Sequence, residues 1–262
     1  MNSAKGFIKA IIGFILLFSM VNLFVIAYEQ ELTGDRIIAK VNELMNQETV
    51  KAKIKMTIVT TSGKKRTFVY DSFSKNRGGK NLIRYLEPRR VKGQAILMLN
   101  NADDIWAYFP RTKRVRKLAT HAKRQKMEGS DFSYEDMGSG DIFIKDFNSK
   151  KLGLEKKEGR DCYKIEMTRK KGSDVGYSRL VMWVIKENFV PVVVDYYDRD
   201  NPEVLIKTLV QYDIKKIDGI PTGMKMVMYN KKDNTQTSME IIEVKYNVDL
   251  EDDMFTERGL RK

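Results

Sequence analysis

Short runs in which apolar and polar residues alternate fill most of the chain after residue 50, and they constrain its fold more than any other feature. In the first run, Ala52, Ile54, Met56 and Ile58 alternate with lysine and threonine. A period of two places alternate side chains on opposite faces, so this run predicts a strand with one dry face. The turn TSGKK separates it from RTFVYDSF, and the two runs predict a β-hairpin.

Many further strands are predicted at short intervals along the chain. The connections are too short for parallel crossovers, so the expected topology is an antiparallel meander. A sheet of this many strands is expected to curl and to close, or half close, because that limits its exposed edges. The predicted segments are Asn81–Leu86, Gln94–Leu99, Asp104–Phe109, Lys113–Leu118, Lys151–Lys157, Asp161–Thr168, Tyr177–Ile185, Val192–Tyr197, Val204–Asp213, Met224–Tyr229 and Ser238–Asn247.

One helix is predicted ahead of the strands. Apolar residues recur at helical spacing from Ile37 to Met45, which predicts a helix over Thr33–Gln47 with one apolar face. The fold class expected from these patterns is mainly β with a few helices (α+β).

Methionines share one face of a strand near the C-terminus. Met224, Met226 and Met228 alternate there, and Met239 and Ile241 do likewise in the next strand. The phase then slips at Ile241 and Ile242, which predicts a β-bulge. Methionine is common on surfaces that accept varied apolar partners, with plain core filling as the alternative.

The first residues have the layout of a secretory signal. Lys5 and Lys9 precede an apolar run from Ala10 to Ala27, which ends on the cleavage-type triplet Val-Ile-Ala. We therefore expect cleavage after Ala27, with residues 1–27 as a signal peptide and residues 28–262 as one periplasmic domain. An uncleaved membrane anchor is the alternative, because the run is only slightly shorter than the ~20 residues of a membrane span.

Charge narrows the class of partner. The chain carries a formal net charge of +13, which favours anionic partners. An exported protein meets anionic lipid headgroups rather than nucleic acid, so we expect transient membrane contact and no nucleic acid. Cys162 is the only cysteine and cannot close an intrachain disulfide.

The positive charge is densest between residues 111 and 126, where no acidic residue occurs. In the predicted strand Lys113–Leu118 the charges fall on both faces, which indicates an edge or rim position. The functional hypothesis is a basic rim that meets anionic headgroups or an acidic membrane partner. Edge lysines that only deter aggregation are the alternative. The rim comprises Arg111, Lys113, Arg114, Arg116, Lys117, Lys123, Arg124 and Lys126.

Residues for catalysis and metal binding are scarce. His121 is the only histidine and lies in the most basic stretch, without a nearby acid to orient it. With one cysteine and one histidine, the chain has few of the ligands that transition-metal sites use. The sequence also has no glycine-rich phosphate loop. We therefore expect no enzyme activity, no cofactor and no metal. A carboxylate pair such as Asp103 and Asp104 leaves a glycosidase as a remote alternative.

The acidic stretch GSDFSYEDM fits a helix start. Ser133 and Asp136 have the spacing of a capping box, and this spacing predicts a short helix that begins at Tyr134. The other interpretation makes Asp131, Glu135 and Asp136 ligands of a cation.

The segment VKGQAILMLNNADDIWAYFPRTKRVRKL, followed by GSDFSYEDM, resembles the outer-membrane lipoprotein-sorting family, the LolA-like carriers. One branch of that family has a D-x-W-x-Y-x-P…R-x-R-x-[IL] strand pair and a G-[ST]-D-F-S-Y-E-D turn, and the closing DDMFTERGLRK is also similar to it. The resemblance spans Asp35 to Lys262. The matching residues are Asp104, Trp106, Tyr108, Pro110, Arg114, Arg116 and Leu118, followed by Gly129–Asp136.

The resemblance implies a curved, incomplete antiparallel β-barrel with a helical lid, whose concave side holds acyl chains in the periplasm. Known carriers latch the lid with an Arg-Pro dipeptide, and the nearest counterparts here are Arg77 and Arg84, neither of which precedes proline. A shift of one residue would invert every assignment of strand faces. The cavity lining expected from strand alternation is Met56, Ile58, Leu97, Leu99, Trp106, Tyr108, Met226, Met228 and Ile241.

The function expected from these features is a periplasmic carrier that shelters acyl chains of a lipoprotein or lipid during transfer toward the outer membrane. The alternative is a periplasmic adaptor without a cavity, which docks by its basic surface on an inner-membrane lipid exporter.

Overall fold

The computed structural model describes residues 32–138 and 140–262, and within them Gly34–Lys262 form one compact unit. The expected signal peptide and its cleavage after Ala27 lie outside the described residues. In the part of the chain that is described, no helix is both long and apolar enough to cross a membrane.

In the part of the chain that the structure describes, thirteen strands form one antiparallel sheet with the order β6-β5-β4-β3-β2-β1-β13-β12-β11-β10-β9-β8-β7. The predicted incomplete antiparallel barrel is confirmed, because the sheet does not close, and each strand overlaps a predicted segment. The strands are β1 (Thr49–Val59), β2 (Lys65–Lys75), β3 (Lys80–Glu87), β4 (Ala95–Leu99), β5 (Asp104–Phe109), β6 (Arg114–Lys117), β7 (Phe147–Lys157), β8 (Arg160–Arg169), β9 (Tyr177–Ile185), β10 (Pro191–Asp198), β11 (Leu205–Ile217), β12 (Ile220–Asn230) and β13 (Thr235–Tyr246).

The strand order explains why the sheet has a lid. β6 and β7 are consecutive in the chain but lie at opposite edges of the sheet. The connection between them, residues 118–146, must therefore cross the sheet, and we call it the lid segment. It contains 3₁₀ helices at Thr120–Arg124 and Met127–Gly129, then α2 (Tyr134–Gly138) and α3 (Ile142–Lys145).

The helix predicted ahead of the strands is confirmed as α1 (Gly34–Met45), and it buries Ile37, Ile38 and Val41. Its first residue lies against the backbone of the edge strand β7. A Cβ atom at Gly34 would lie 2.7 Å from the carbonyl oxygen of Ser149, so this approach requires glycine. The helix thereby covers part of an edge that would otherwise be free to pair.

The two faces of the sheet have different covers. The inner face, which carries Ile54 and Met56, lies toward the lid segment. The outer face of β2–β5 is covered by residues 247–262, which contribute Leu250, Phe255 and Leu260 to a buried cluster with Leu82 and Leu97.

The predicted bulge in β13 is confirmed. Lys53 pairs with Glu243 but its neighbour Ile54 pairs with Ile241, so Ile242 is the extra residue. A bulge bends its strand, and Ile242 is 56% exposed.

Replacing Leu260 with alanine tests the outer cover. Leu260 is fully buried, so we expect the L260A change to lower the free energy of unfolding by about 2–5 kcal/mol, measured by urea titration. L154A is the matched control, since Leu154 is 61% exposed and its truncation should change stability by less than about 0.5 kcal/mol. Equal effects of the two variants would contradict a packed outer cover.

Candidate functional site

A cavity of about 330 Å³ lies between the inner face of the sheet and its helical cover. This volume is at the lower end of the ~300–1,000 Å³ of small-molecule sites. The sheet side of the wall comes from β1 and from β9 to β13, and it includes Ile54, Leu180, Leu209, Met226, Met228, Met239 and Ile241. The other side comes from α1 and the lid segment with its flank, and it includes Leu44, Met45, Phe132, Met137, Ile142, Phe143 and Phe147. The wall is therefore mainly apolar.

The lid segment begins its main helix with the predicted capping box, which is confirmed. The Ser133 backbone N–H donates to Asp136 Oδ2 at 2.7 Å, and the Asp136 backbone N–H donates to Ser133 Oγ at 3.1 Å. The helix starts at Tyr134, as the spacing predicts. Capping fixes where Glu135 and Asp136 point, because both lie in the first turn.

Asp136 closes one end of the cavity with a buried polar cluster. The Tyr177 hydroxyl donates to Asp136 Oδ1 at 2.7 Å, and the Lys207 ammonium lies 3.1 Å from Asp136 Oδ2. Burial, and to a smaller extent the nearby charge of Asp136, raise the pKa of Tyr177 well above its usual value. The hydroxyl therefore keeps its proton and donates it in the hydrogen bond. These contacts join α2 to β9 and β11.

Asp131 joins the lid segment to the hairpin between β12 and β13. Its carboxylate is 1% exposed and accepts from the Thr237 hydroxyl at 2.7 Å, the Thr235 hydroxyl at 2.6 Å and the Asn230 amide at 3.1 Å. A buried carboxylate costs free energy unless donors surround it, and here they do.

Glu135 lies in the same turn, where its carboxylate accepts from the Gly176 backbone N–H at 3.2 and 3.0 Å. Burial, and to a smaller extent the charge of Asp136, raise the pKa of Glu135 to about 7. The three acidic side chains thus act as caps and anchors of the lid, rather than as ligands of one ion. Among residues 32–138 and 140–262 no group of histidine, cysteine, aspartate and glutamate has the arrangement of a metal site.

A comparison with protein-family models shows which family the chain belongs to. A family model described as an uncharacterized protein matches residues 77–262, which is more than half of the chain. The chain belongs to this family. No curated protein sequence matches it significantly.

The chain shares its fold with solved structures that include a LolA superfamily protein. A domain from Vibrio parahaemolyticus, proposed to be an outer membrane lipoprotein-sorting protein domain, is 26% identical and superposes with a TM-score of 0.79 over 87% of this chain and 98% of its own. A DUF1329 family protein from Desulfovibrio piger is 29% identical, with a TM-score of 0.79 over 87% of this chain and 97% of its own. A LolA superfamily protein from Nitrosomonas europaea shares the fold at 22% identity, with a TM-score of 0.72 over 87% of this chain and 99% of its own.

The structure brings together only part of the expected lining of this cavity. Met226, Met228 and Ile241 line it. Met56 and Ile58 are on the inner face and almost fully buried, but they lie outside the cavity wall.

The other four expected lining residues lie on the outer face, which corrects the face assignment for β4 and β5. Leu97 is buried under residues 247–262, and Leu99, Trp106 and Tyr108 pack against the same cluster. β4 has buried residues on both faces, so its apolar run has no period that could reveal which face is which.

Several wall residues were missed at the sequence level. Ile54 shares a face with Met56 and Met239 shares one with Ile241, so strand alternation contains the signal for both. The aromatic wall residues Phe132, Phe143 and Phe147 lie outside or at the start of strands, where alternation gives no signal.

The basic stretch divides into two parts. Arg111, Lys113, Arg114 and Arg116 are exposed at the turn before the edge strand β6 or on that strand. The remaining four cations pair with carboxylates: Lys117 with Asp104 at 2.6 Å, Lys123 with Asp103 at 2.7 Å, Arg124 with Asp174 at 2.6 Å and Lys126 with Asp233 at 2.7 Å. Lys123 is also buried, so the exposed basic rim is narrower than expected.

Arg77 and Arg84, the two candidates for a lid latch, direct their side chains to partners outside the lid segment. Arg77 Nε lies 3.5 Å from Glu48 Oε2, and the Arg84 guanidinium donates to the carbonyl oxygens of Gly259 and Leu260 in the outer cover. Asparagines contact the lid instead. The Asn46 amide donates to the Gly140 carbonyl oxygen, and the Asn101 amide donates to Asp141 Oδ1 at 2.6 Å.

The only histidine and the only cysteine lie outside the cavity wall. His121 is exposed in a 3₁₀ helix, whereas Cys162 is buried beside Trp183 and Ile185, where burial raises the pKa of its thiol.

The raised pKa of Glu135 predicts a pH-dependent stability. The folded state binds this proton more tightly than the unfolded chain, so the stabilisation is complete below about pH 4.5 and is lost as the pH rises through about 7. The loss amounts to at most roughly 3 kcal/mol. We expect E135Q to remove it, so that the variant gains stability relative to the wild type at pH 8 but not at pH 4.

Urea unfolding at the two pH values measures this difference. E43Q, at an exposed position of α1, is the control and should follow the wild type at both pH values. If E135Q kept the wild-type pH dependence, the buried Glu135 carboxyl would not be its source.

Proposed function

We propose that the protein is a periplasmic carrier that shelters an acyl chain of a lipoprotein or another lipid during transfer toward the outer membrane. The observation that carries the proposal is the apolar cavity of about 330 Å³ under the lid segment. The expected cleavage after Ala27 and the likeness to a lipoprotein-sorting domain support the periplasmic location.

Most of the free energy of binding an acyl chain comes from burying its apolar surface. Each buried CH₂ group contributes about 0.8 kcal/mol, so a 16-carbon chain gains on the order of 12 kcal/mol when it is fully sheltered. A surface ion pair contributes about 0–1 kcal/mol. The cavity wall therefore determines affinity, and the surface charges are left to guide encounters.

Methionines suit a wall that must accept flexible chains. Met226, Met228 and Met239 lie side by side on β12 and β13, with Met226 paired directly to Met239. Their unbranched side chains can adapt to acyl chains of different length and unsaturation.

The exposed rim residues Arg111, Lys113, Arg114 and Arg116 are proposed to meet anionic headgroups at the membrane. Their exposure on an edge strand supports this role. The same observation favours the second candidate, an adaptor that docks by this rim on an inner-membrane lipid exporter. An adaptor needs no cavity, so the cavity favours the carrier.

Native mass spectrometry of protein purified without detergent tests the carrier directly. We expect a retained acyl species, released when the protein is denatured. Protein that repeatedly purifies empty and takes up no added fatty acid would contradict the carrier and favour the adaptor.

Filling the cavity should weaken acyl binding. The M226W change places an indole among the wall residues and displaces about two methylene groups of the ligand. At about 0.8 kcal/mol for each group, we expect roughly tenfold weaker binding of a fluorescent fatty acid. L152W, at a leucine that is 46% exposed on β7, is the control and should bind as the wild type does. Equal affinity of M226W and the wild type would place the ligand elsewhere.

Charge reversal tests the rim. We expect R114E together with R116E to reduce binding to anionic vesicles by at least about thirtyfold at low salt, because each cation near an anionic surface contributes about 1 kcal/mol and both are lost. K64E with K65E, in the exposed turn between β1 and β2 and at the start of β2, is the control of equal charge change. Unchanged vesicle binding with an intact circular dichroism spectrum would remove the proposed role of the rim.

A further inference from the structure

The sheet is split between β12 and β13 at one end. The two strands pair from Asn230 and Thr235 as far as Lys225 and Glu240. Beyond that point, β12 continues to Ile220 by pairing with β11, and β13 continues to Tyr246 by pairing with β1. The described strands therefore diverge just where the pairing of β12 and β13 ends.

The local sequence accounts for the divergence. The bulge at Ile242 lies two residues after Glu240, the last residue of β13 that pairs with β12, and bulges bend their strands. On the facing strand, Pro221 has no backbone N–H to donate to a ladder, which places it where a strand has a free edge. Gly223 follows two residues later, and a Cβ atom there would lie 2.2 Å from Gln211 Oε1.

The split leads into the cavity. Pro221, Thr222 and Gly223 on one side of it, and Ile241 and Tyr246 on the other, all line the cavity wall. Backbone pairing does not seal this part of the wall. A hydrogen bond between side chains bridges it, since the Thr222 and Tyr246 hydroxyl oxygens are 2.8 Å apart.

The bridge has a defined direction. The Thr222 hydroxyl also lies 3.0 Å from the carbonyl oxygen of Ile220, and its single proton is donated there. Tyr246 therefore donates to Thr222 Oγ, and replacing Tyr246 with phenylalanine removes the bridge while leaving the ring in place. A single hydrogen bond of this kind is far easier to open than a backbone ladder.

The two ends of the cavity differ in what they offer to a lipid. At the far end, Asp136, Tyr177 and Lys207 already satisfy one another, so this end supplies a closed wall. At the split, the polar groups on the wall are the neutral side chains of Gln211, Thr222 and Tyr246, and only the hydrogen bond between the last two bridges β12 and β13. Ile242 outside the split is 56% exposed.

We infer that this split is a lateral portal, closed here by Thr222 and Tyr246, through which the polar head of a bound acyl lipid projects while its tail points toward Tyr177. The inference rests on the proposed carrier function. It adds the orientation of the lipid and the route by which it enters and leaves.

Spin-labelled stearic acids test the orientation on ¹⁵N-labelled protein. The nitroxide lies near the carboxyl head in 5-doxyl stearate and near the tail end in 16-doxyl stearate. We expect the first to broaden the amide signals of Ile242 and Tyr246, and the second to broaden that of Tyr177. The reverse pattern would overturn the portal but not the carrier. Failure of both stearates to broaden any amide of the cavity wall would overturn both.

Release kinetics test the bridge. Loss of one net hydrogen bond, about 1 kcal/mol, should speed transfer of a fluorescent fatty acid to acceptor vesicles about fivefold in Y246F. Y212F is the matched control, because it removes a comparable hydroxyl pair, Tyr212 with Tyr229 at 3.3 Å, between strands that remain paired. We expect Y212F to release at the wild-type rate. Equal rates for Y246F and the wild type, with fatty-acid affinity retained, would overturn the portal.

Discussion

Buried carboxylates hold the lid segment across the sheet, and the cavity depends on that manner of attachment. Asp131 is bound by the hairpin of β12 and β13, and Asp136 is bound by Tyr177 and Lys207 from β9 and β11. These contacts set the height of the lid above the sheet by hydrogen-bond geometry. A lid attached only by apolar packing would settle until the space beneath it was filled, because protein interiors pack closely.

The strand order makes such a lid unavoidable. Because β6 and β7 are the two edges of the sheet, their connection has to cross one face. The other face needs a cover of its own over β2–β5, and the C-terminal residues supply it through Phe255 and Leu260. The apolar residues of the two faces therefore have different roles. Those of the outer face are packed under the C-terminal residues and stabilise the fold, while those of the inner face surround the cavity.

Local features were readable from the sequence because their causes are local. Alternation and turn residues predicted a segment for each strand, the spacing of Ser133 and Asp136 predicted the start of α2, and the phase slip at Ile242 predicted a bulge. The face assignment failed at β4, where both faces are buried and the apolar run has no period, and at β5, where Trp106 and Tyr108 pack under residues 247–262. Four of the eight rim cations form ion pairs with carboxylates. The sequence did not predict this pairing, because the acidic partners lie elsewhere in the chain, as Asp233 does for Lys126.

The sequence by itself determined the number and direction of the strands, the helix before them and the bulge, since side-chain period and turn residues specify these within a few positions. Only the tertiary structure decided which face encloses the cavity, which acidic residues anchor the lid and where β12 and β13 part. Those features depend on contacts between segments that are distant in sequence, such as Asp131 with Thr237 and Leu82 with Leu260. No local pattern carries that information, because alternation distinguishes two faces without stating what will cover each of them.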